Sequence, residues 1–421
     1  MRNDQKITLG GWIPLVSGRR ICFHFIGCLM PTLLGINVHR NLLNVQTGVA
    51  SPTQVEWSLC MRKYVDRGTI AGTVTLVARH KDVVHLEAVG YQDLERRVPM
   101  RTDTIFQVMS MTKPVTAAGI MILLEEGRLS LEDPVQKFLP EFREARVVEH
   151  RAKTGQSLRR ATRAITIRNL LTHTSGMSGE DPPAIRDPAK KRSHTLADNV
   201  LFFSRQALEF DPGTQWMYSG PGYATLGRII EVVSKAAYER FLQDRIFEPL
   251  GMKDTSFFPP AQKGNRIARV YLFQDGKLRP ADADSFQADA KYPNPAGGLY
   301  STASDMGTFL LCMLNGGSWH DRTILSKASV GLMTRVQTGD LPVQQSPVRG
   351  FGLGWEVLRT LDPALPWFSA GTYGHAGAFG TYEWVDPGRD LIGVFLIQRL
   401  GESSTQERDA FITSIYTRLP Q

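Results

Sequence analysis

A chain of 421 residues, 42% of them hydrophobic and 21% charged, has ordinary globular composition and room for one large domain or two intertwined ones. It holds no apolar run of about 18 residues or more, which argues against a membrane-spanning helix. The net charge is +8, and half of that excess lies in residues 1–50, so a basic nucleic-acid-binding face is not expected. Cys22, Cys28, Cys60 and Cys312 match no zinc or redox spacing and are too few for a disulfide framework, which leaves free thiols as the expectation.

Residues 1–50 read as an N-terminal extension. Arg19-Arg20 followed by Ile21 to Ile36 resembles the start of an export signal, but His24 and Pro31 interrupt it and no small-residue cleavage site follows. A cytoplasmic location is therefore favoured over export. A helix is expected from about Ser51 to Arg67. Ala71 to Arg79 alternates as a strand with Val74, Leu76 and Ala78 on one side, and Val83 to Val89 answers it across His80-Lys81-Asp82. His80 and His85 are placed on the outer part of that hairpin.

Val115 to Leu124 is apolar on every face, so this helix should be buried; Gly127 fits the left-handed position past its end. Arg143 to Arg163 reads as a solvated loop or exposed hairpin. Ile167 to Thr172 is a short helix, Asp187 to Ser193 a surface loop, and Leu196 to Leu208 and Ala224 to about Phe241 are helical. Ser304 is expected to cap a helix from Asp305 to Leu314. Tyr382 to Val385 and Leu391 to Gln398 form a hairpin around Asp386-Pro387-Gly388, and Ser404 to Glu407 reads as a capping box for a last helix.

Ser110 and Lys113 stand three apart at the head of the buried helix, with Pro114 in its first turn. A serine there is commonly an N-cap. A lysine, however, is almost never buried without a partner, and helix-end N–H groups favour negative charge. The pair suits a serine nucleophile whose proton leaves towards a basic neighbour. Tyr218 lies in the loop Trp216-Met217-Tyr218-Ser219-Gly220. It is either a packed aromatic or the group that moves the proton, and a Lys113 ammonium nearby would favour its phenolate. Glycines around His375 and Gly377 let a strand edge approach a ligand, where the N–H groups of Ala378 and Ser110 could hold an oxyanion.

Taken in this order, Ser110/Lys113, Tyr218-Ser219-Gly220 and His375-Ala376-Gly377 resemble the Ser-x-x-Lys, Tyr-x-Asn and Lys-Thr-Gly elements of the class C β-lactamase-like serine hydrolases. Leu170 to Gly176 and Pro295 to Leu299 also look like stretches of that family, which includes penicillin-binding proteins, D-amino-acid peptidases and the family VIII carboxylesterases. The resemblance implies an α/β (α+β) fold of β-lactamase/transpeptidase type. Its antiparallel sheet is built from both chain ends and flanked by helices. The expected division is residues 51–125 with 290–421 as the α/β part and 126–289 as a mostly helical insertion.

Gly220 replaces an asparagine and His375 a lysine, and a histidine is mostly neutral at pH 7. Both departures weaken recognition of anionic penicillins and peptides. The resemblance thus implies a carboxylesterase acting on short-chain neutral esters, with Ser110, Lys113 and Tyr218 catalytic. Ala378, His375, Gly377, Gly220 and Trp216 would bind substrate or oxyanion, while Trp216, Tyr223 and Phe379 either line an acyl pocket or belong to the core. It implies no metal or cofactor and only a small-molecule partner. A β-lactamase or D-aminopeptidase, and an inactive sensor on the same fold, are the alternatives.

Overall fold

The computed structural model describes residues 52–152, 155–281 and 290–418; the N-terminal extension, with Cys22, Cys28 and the signal-like segment, lies outside the described residues. Eight strands form one antiparallel sheet: β1 (Gly72–Arg79), β2 (Asp82–Asp93), β3 (Val98–Pro99), β4 (Arg349–Phe351), β5 (Glu356–Leu358), β6 (Tyr373–Ala376), β7 (Tyr382–Asp386) and β8 (Leu391–Leu396). Their spatial order is β4-β5-β6-β7-β8-β1-β2-β3. Early and late sequence meet at its centre, where β1 pairs with β8 and Val74 lies opposite Leu396.

Both faces of this sheet are covered, so β1 is buried along nearly its whole length. Val74, Leu76 and Ala78 face one core, shared with Val115 and Ile120 of the helix Thr112–Glu125 and with Phe309 and Leu310 of the helix Ala303–Leu314. Val77 faces the other core with Trp57, Phe411 and Ile415, which belong to the helices Pro52–Asp66 and Thr405–Tyr416. His80 and Lys81 form the two-residue turn between β1 and β2 with φ of 52° and 72°. His85 is not on the outside. The register that pairs it with Val77 turns it onto the second core, against Trp57 at 5.2 Å. There Thr75 Oγ1 lies 2.8 Å from its Nε2, and burial pushes its pKa down to about 4.

The helix Thr112–Glu125 is buried from Thr112 to Leu123, as its all-round apolar pattern requires, and Gly127 takes φ of 69° beyond its end. Arg146–Ala152 and Gly155–Arg160 pair as exposed antiparallel strands, one of the two forms expected. Asp187 to Ser193 is not a loop. Asp187 caps a short helix, Pro188–Ser193, by accepting from Ala189 N–H at 2.9 Å. The helix from Leu196 ends at Ser204, and the one expected to reach Phe241 breaks at Lys235, whose φ is 61°.

Two caps differ from expectation. Thr302, not Ser304, caps the helix Ala303–Leu314 through Asp305 N–H at 3.1 Å. The Ser404 capping box does not form, because Glu407 turns inward to the buried Arg399 guanidinium at 2.7 Å. A buried cation left without that carboxylate would cost more than an uncapped helix end.

Glu383 on β7 lies directly across from His375 on β6, fully buried, with neither carboxyl oxygen hydrogen-bonded among the described residues. Burial raises its pKa well above the ordinary 4.5. A carboxyl whose folded-state pKa is raised is held protonated by the fold. Stability is then greatest below the unfolded pKa and falls as pH rises above it, by about 1.4 kcal/mol per pH unit until the folded pKa is reached. Glu383→Leu should therefore raise the denaturation midpoint at pH 8 and much less at pH 4.5. Equal shifts at both pH values would show that Glu383 has a partner in solution.

Candidate active site

The approach to Ser110 is held from two sides. Phe106 and Gln107 pair with Ser301 and Tyr300, and Val108 N–H donates to Leu299 O at 3.0 Å. The Val108 carbonyl accepts from Thr381 Oγ1 at 3.0 Å, which ties this segment to the turn after β6. Met109 then takes φ of 52°, a left-handed conformation costly for a side chain of its size. Thr112 Oγ1 donates to its carbonyl at 2.6 Å and holds it there. The reversal puts Ser110 in a single 3₁₀ turn, Met109–Met111, ahead of the helix. Ser110 is not an N-cap: Met111 occupies that position with no side-chain cap bond.

The hydroxyl of Ser110 meets Lys113 instead, with Nζ and Oγ 2.9 Å apart. Lys113 is 1% exposed and donates to the Ala296 carbonyl at 2.6 Å. That carbonyl belongs to the Pro295 to Leu299 stretch, whose Gly297 and Gly298 N–H groups fold back onto Asn294 O at 3.1 and 2.8 Å. Among the described residues no carboxylate pairs with Lys113, and burial holds its pKa well below the ordinary amine range.

Tyr218 completes the group. Its phenol is close enough to the Ser110 side chain for that group to lower its pKa, and Lys113 Nζ lies 4.5 Å from the centre of its ring. About a third of the side chain reaches solvent, but the hydroxyl end is enclosed by protein. Burial pushes its pKa up to about 12, against the smaller lowering effect of Ser110. Burial thus disfavours both the ammonium and the phenolate of the pair expected from the sequence.

His173 holds Tyr218 in place, a role with no local signature in the sequence. Its carbonyl accepts Met217 N–H at 2.9 Å and its Nδ1 accepts Ser219 N–H at 3.0 Å, so the residues on both sides of Tyr218 are anchored to one side chain and its backbone. The imidazole lies 4.5 Å from the Tyr218 ring, centre to centre. It is fully buried, with φ of 60°, and burial keeps it neutral. Because Nδ1 accepts, its proton resides on Nε2.

The remaining candidates divide. His375 is buried on β6; its Nδ1–H donates to the Ala376 carbonyl at 2.8 Å, and burial pushes its pKa down to about 3. It therefore presents no positive charge. A Cβ on Gly377 would overlap Thr381 Oγ1 and the Val108 carbonyl, so only glycine lets this turn close on the Ser110 segment. Ala378 is exposed on that turn, and among the described residues its N–H has no acceptor within the protein. Gly220 starts the helix Gly220–Ser234, where a Cβ would meet only Ala296 Cβ at 3.7 Å. Its lack of a side chain is not forced by packing.

Trp216 packs against His173 and Phe351 at 6.0 and 6.1 Å. Tyr223 is core, with its hydroxyl donating to Leu171 O at 2.9 Å. Of the three residues expected to line an acyl pocket, only Phe379 lines the cavity of about 580 Å³ beside Met109 and Gly297.

Residues 58–417 match the family model described as Beta-lactamase. Protein Rv1367c of Mycobacterium tuberculosis is 32% identical over 362 residues, covering 82% of this chain and 90% of that one. Esterase EstB of Burkholderia gladioli is 30% identical over 345 residues, 75% of this chain and 80% of its own. Among solved structures, EstCE1, a hydrolase with promiscuous acyltransferase activity, matches with a TM-score of 0.74 at 26% identity, covering 86% of this chain and 98% of that one. A family match of that extent, on a β-lactamase/transpeptidase-like sheet flanked by helices, makes the protein a member of the β-lactamase-like family of serine hydrolases.

Proposed function

We propose that the protein is a serine carboxylesterase that cleaves neutral esters through an acyl-enzyme on Ser110. The observation that carries this reading is the buried Lys113 amine, 2.9 Å from the Ser110 hydroxyl and without a carboxylate partner among the described residues, where burial lowers its pKa. An amine so placed is a base at neutral pH. It takes the Ser110 proton as Oγ bonds to the ester carbonyl carbon. The N–H groups of Ser110 and Ala378 receive the oxyanion. On collapse the C–O bond to the alcohol breaks. The Tyr218 phenol protonates the departing alkoxide and recovers its proton from the Lys113 ammonium. Water then attacks the acyl carbon, gives a proton to the same pair, and Ser110 leaves with its hydrogen restored.

Neutral His375 and side-chain-free Gly220 support an ester lacking a carboxylate. A substrate carboxylate would forgo a charge-assisted hydrogen bond, about 1.5–3 kcal/mol or roughly 10–100-fold in recognition. p-Nitrophenyl butyrate should accordingly be turned over at least about 10-fold more efficiently than nitrocefin or a D-alanyl-D-alanine peptide, both of which carry a carboxylate. Ser110→Ala should remove about 10³-fold or more of the esterase rate, the scale on which loss of a nucleophile acts. Esterase activity surviving in that variant, or nitrocefin turnover matching the ester, would sink the assignment.

The pH dependence follows from the two shifted groups. Lys113 must be deprotonated to act, so kcat/KM rises with pH along an acid limb set by its depressed pKa. Tyr218 must keep its proton, and does so until about pH 12. The profile should be a single rise to a plateau that still holds at pH 10. A fall centred between pH 7 and 9 would mean that the phenol ionises in the working range.

His173 should matter through Tyr218. His173→Ala strands Ser219 N–H and removes the ring beneath the phenol, and kcat should fall about 10–100-fold with a smaller change in KM. His173→Asn, which tolerates positive φ and can accept from Ser219 N–H, should recover part of the loss. A folded His173→Ala enzyme with unaltered kcat would remove His173 from the mechanism.

A further inference from the structure

The cavity of about 580 Å³ touches Met109, Gly297 and Phe379, each next in sequence to a residue of the site, but not Tyr218, Trp216 or His375. It therefore borders the segments that carry Ser110, Ala296 and Ala378 but not the one that carries Tyr218. Its volume falls in the range of small-molecule sites, about 300–1,000 Å³. Phe257, Phe258, Tyr292, Tyr300 and Phe379 give it aromatic walls. Phe258 is 38% exposed, a large apolar ring at the surface where an unliganded protein gains nothing from it.

The charged groups of the lining are engaged. Lys191 Nζ lies 2.6 Å from Asp181 Oδ1 and also stands 5.7 Å from the Tyr292 ring centre, while Asp187 caps the Pro188–Ser193 helix. Arg192, the fourth charged residue of the lining, is not free either, so the cavity offers apolar contact without an uncommitted charge to select an ion.

We propose that this cavity is the acyl site and that the acid part of the ester is bulky, uncharged and aryl-bearing. The inference rests on the esterase reading, because it places the departing alcohol beside Tyr218, its proton donor, and so leaves the acyl group to the cavity that Tyr218 does not line. A short acyl chain would leave most of the cavity to water. An aryl group displaces that water and stacks against the aromatic walls. The reaction is that of the acyl-enzyme above: the aryl acid is transferred to Ser110 Oγ and then to water.

Three substrates test this with the full-length protein: p-nitrophenyl acetate, p-nitrophenyl 4-phenylbutyrate and 2-naphthyl acetate. The phenylbutyrate should exceed p-nitrophenyl acetate in kcat/KM by about 10-fold or more, the usual yield of added apolar contact in a fitted pocket. Phe258→Ala should cut that ratio at least about 5-fold. An equal or better rate with p-nitrophenyl acetate, a gain only on the naphthyl alcohol side, or an unchanged ratio in Phe258→Ala would overturn the acyl site while leaving the esterase intact. No Ser110-dependent turnover of any of the three would overturn the esterase reading and this one with it.

Discussion

The structure turns on one buried amine. Lys113 Nζ is enclosed between the Ser110 hydroxyl, the Ala296 carbonyl and the faces of Tyr218 and Tyr223. A cation enclosed in this way, with no carboxylate partner among the described residues, carries a desolvation cost of several kcal/mol, which lowers the pKa of the amine. The same burial sets the character of its neighbours. The phenol keeps its hydrogen, and both histidines of the cluster remain neutral.

Holding such a group in place requires elements far apart in sequence. The Ser110 turn comes from the early part of the chain, the Ala296 carbonyl from a loop late in the sequence, and Tyr218 from between them. Val108 forms the joint. Its N–H is held by Leu299 and its carbonyl by Thr381, so the Leu299 segment, the glycine-rich turn and the helix start are joined through it. The strained φ of Met109 persists because these bonds over-determine it. Gly377 belongs to the same joint: the turn that carries Ala378 could not approach Val108 with a side chain at that position.

Features with a local cause were legible in the sequence. The all-round apolar helix, the hairpin of β1 and β2 and the glycine past the helix end follow from periodicity and backbone preference, and the structure has each of them. Features settled by distant partners were not. Glu407 carries a capping-box pattern, yet Arg399 takes it because a buried guanidinium outweighs a helix end. His85 alternates correctly but faces the covered side of β2, which only the position of Trp57 reveals. His173 was visible as part of a Thr-His-Thr-Ser-Gly stretch. Its bond to Ser219, 46 residues away, has no local signature. The phenolate expectation failed for a related reason: proximity of Lys113 and Tyr218 was inferred without the desolvation that accompanies it.

A neutral resting site has a consequence for the proposed acylation. Coulomb energy in an enclosed site exceeds that in water several-fold, so a permanent ammonium there would act on substrate and transition state alike. Here the charges come into being together. In the proposed step, proton transfer from Ser110 creates the Lys113 ammonium at the moment the carbonyl oxygen becomes negative. The attraction between them belongs to the tetrahedral species and to neither the resting enzyme nor the bound ester, and only such differential interactions lower the barrier. A lysine kept charged by a carboxylate partner would lose this advantage, since its field would already be spent on that partner. The absence of an acidic neighbour among the described residues is therefore a condition for the base to work, and the burial that lowers the Lys113 pKa is also what makes its brief charge effective.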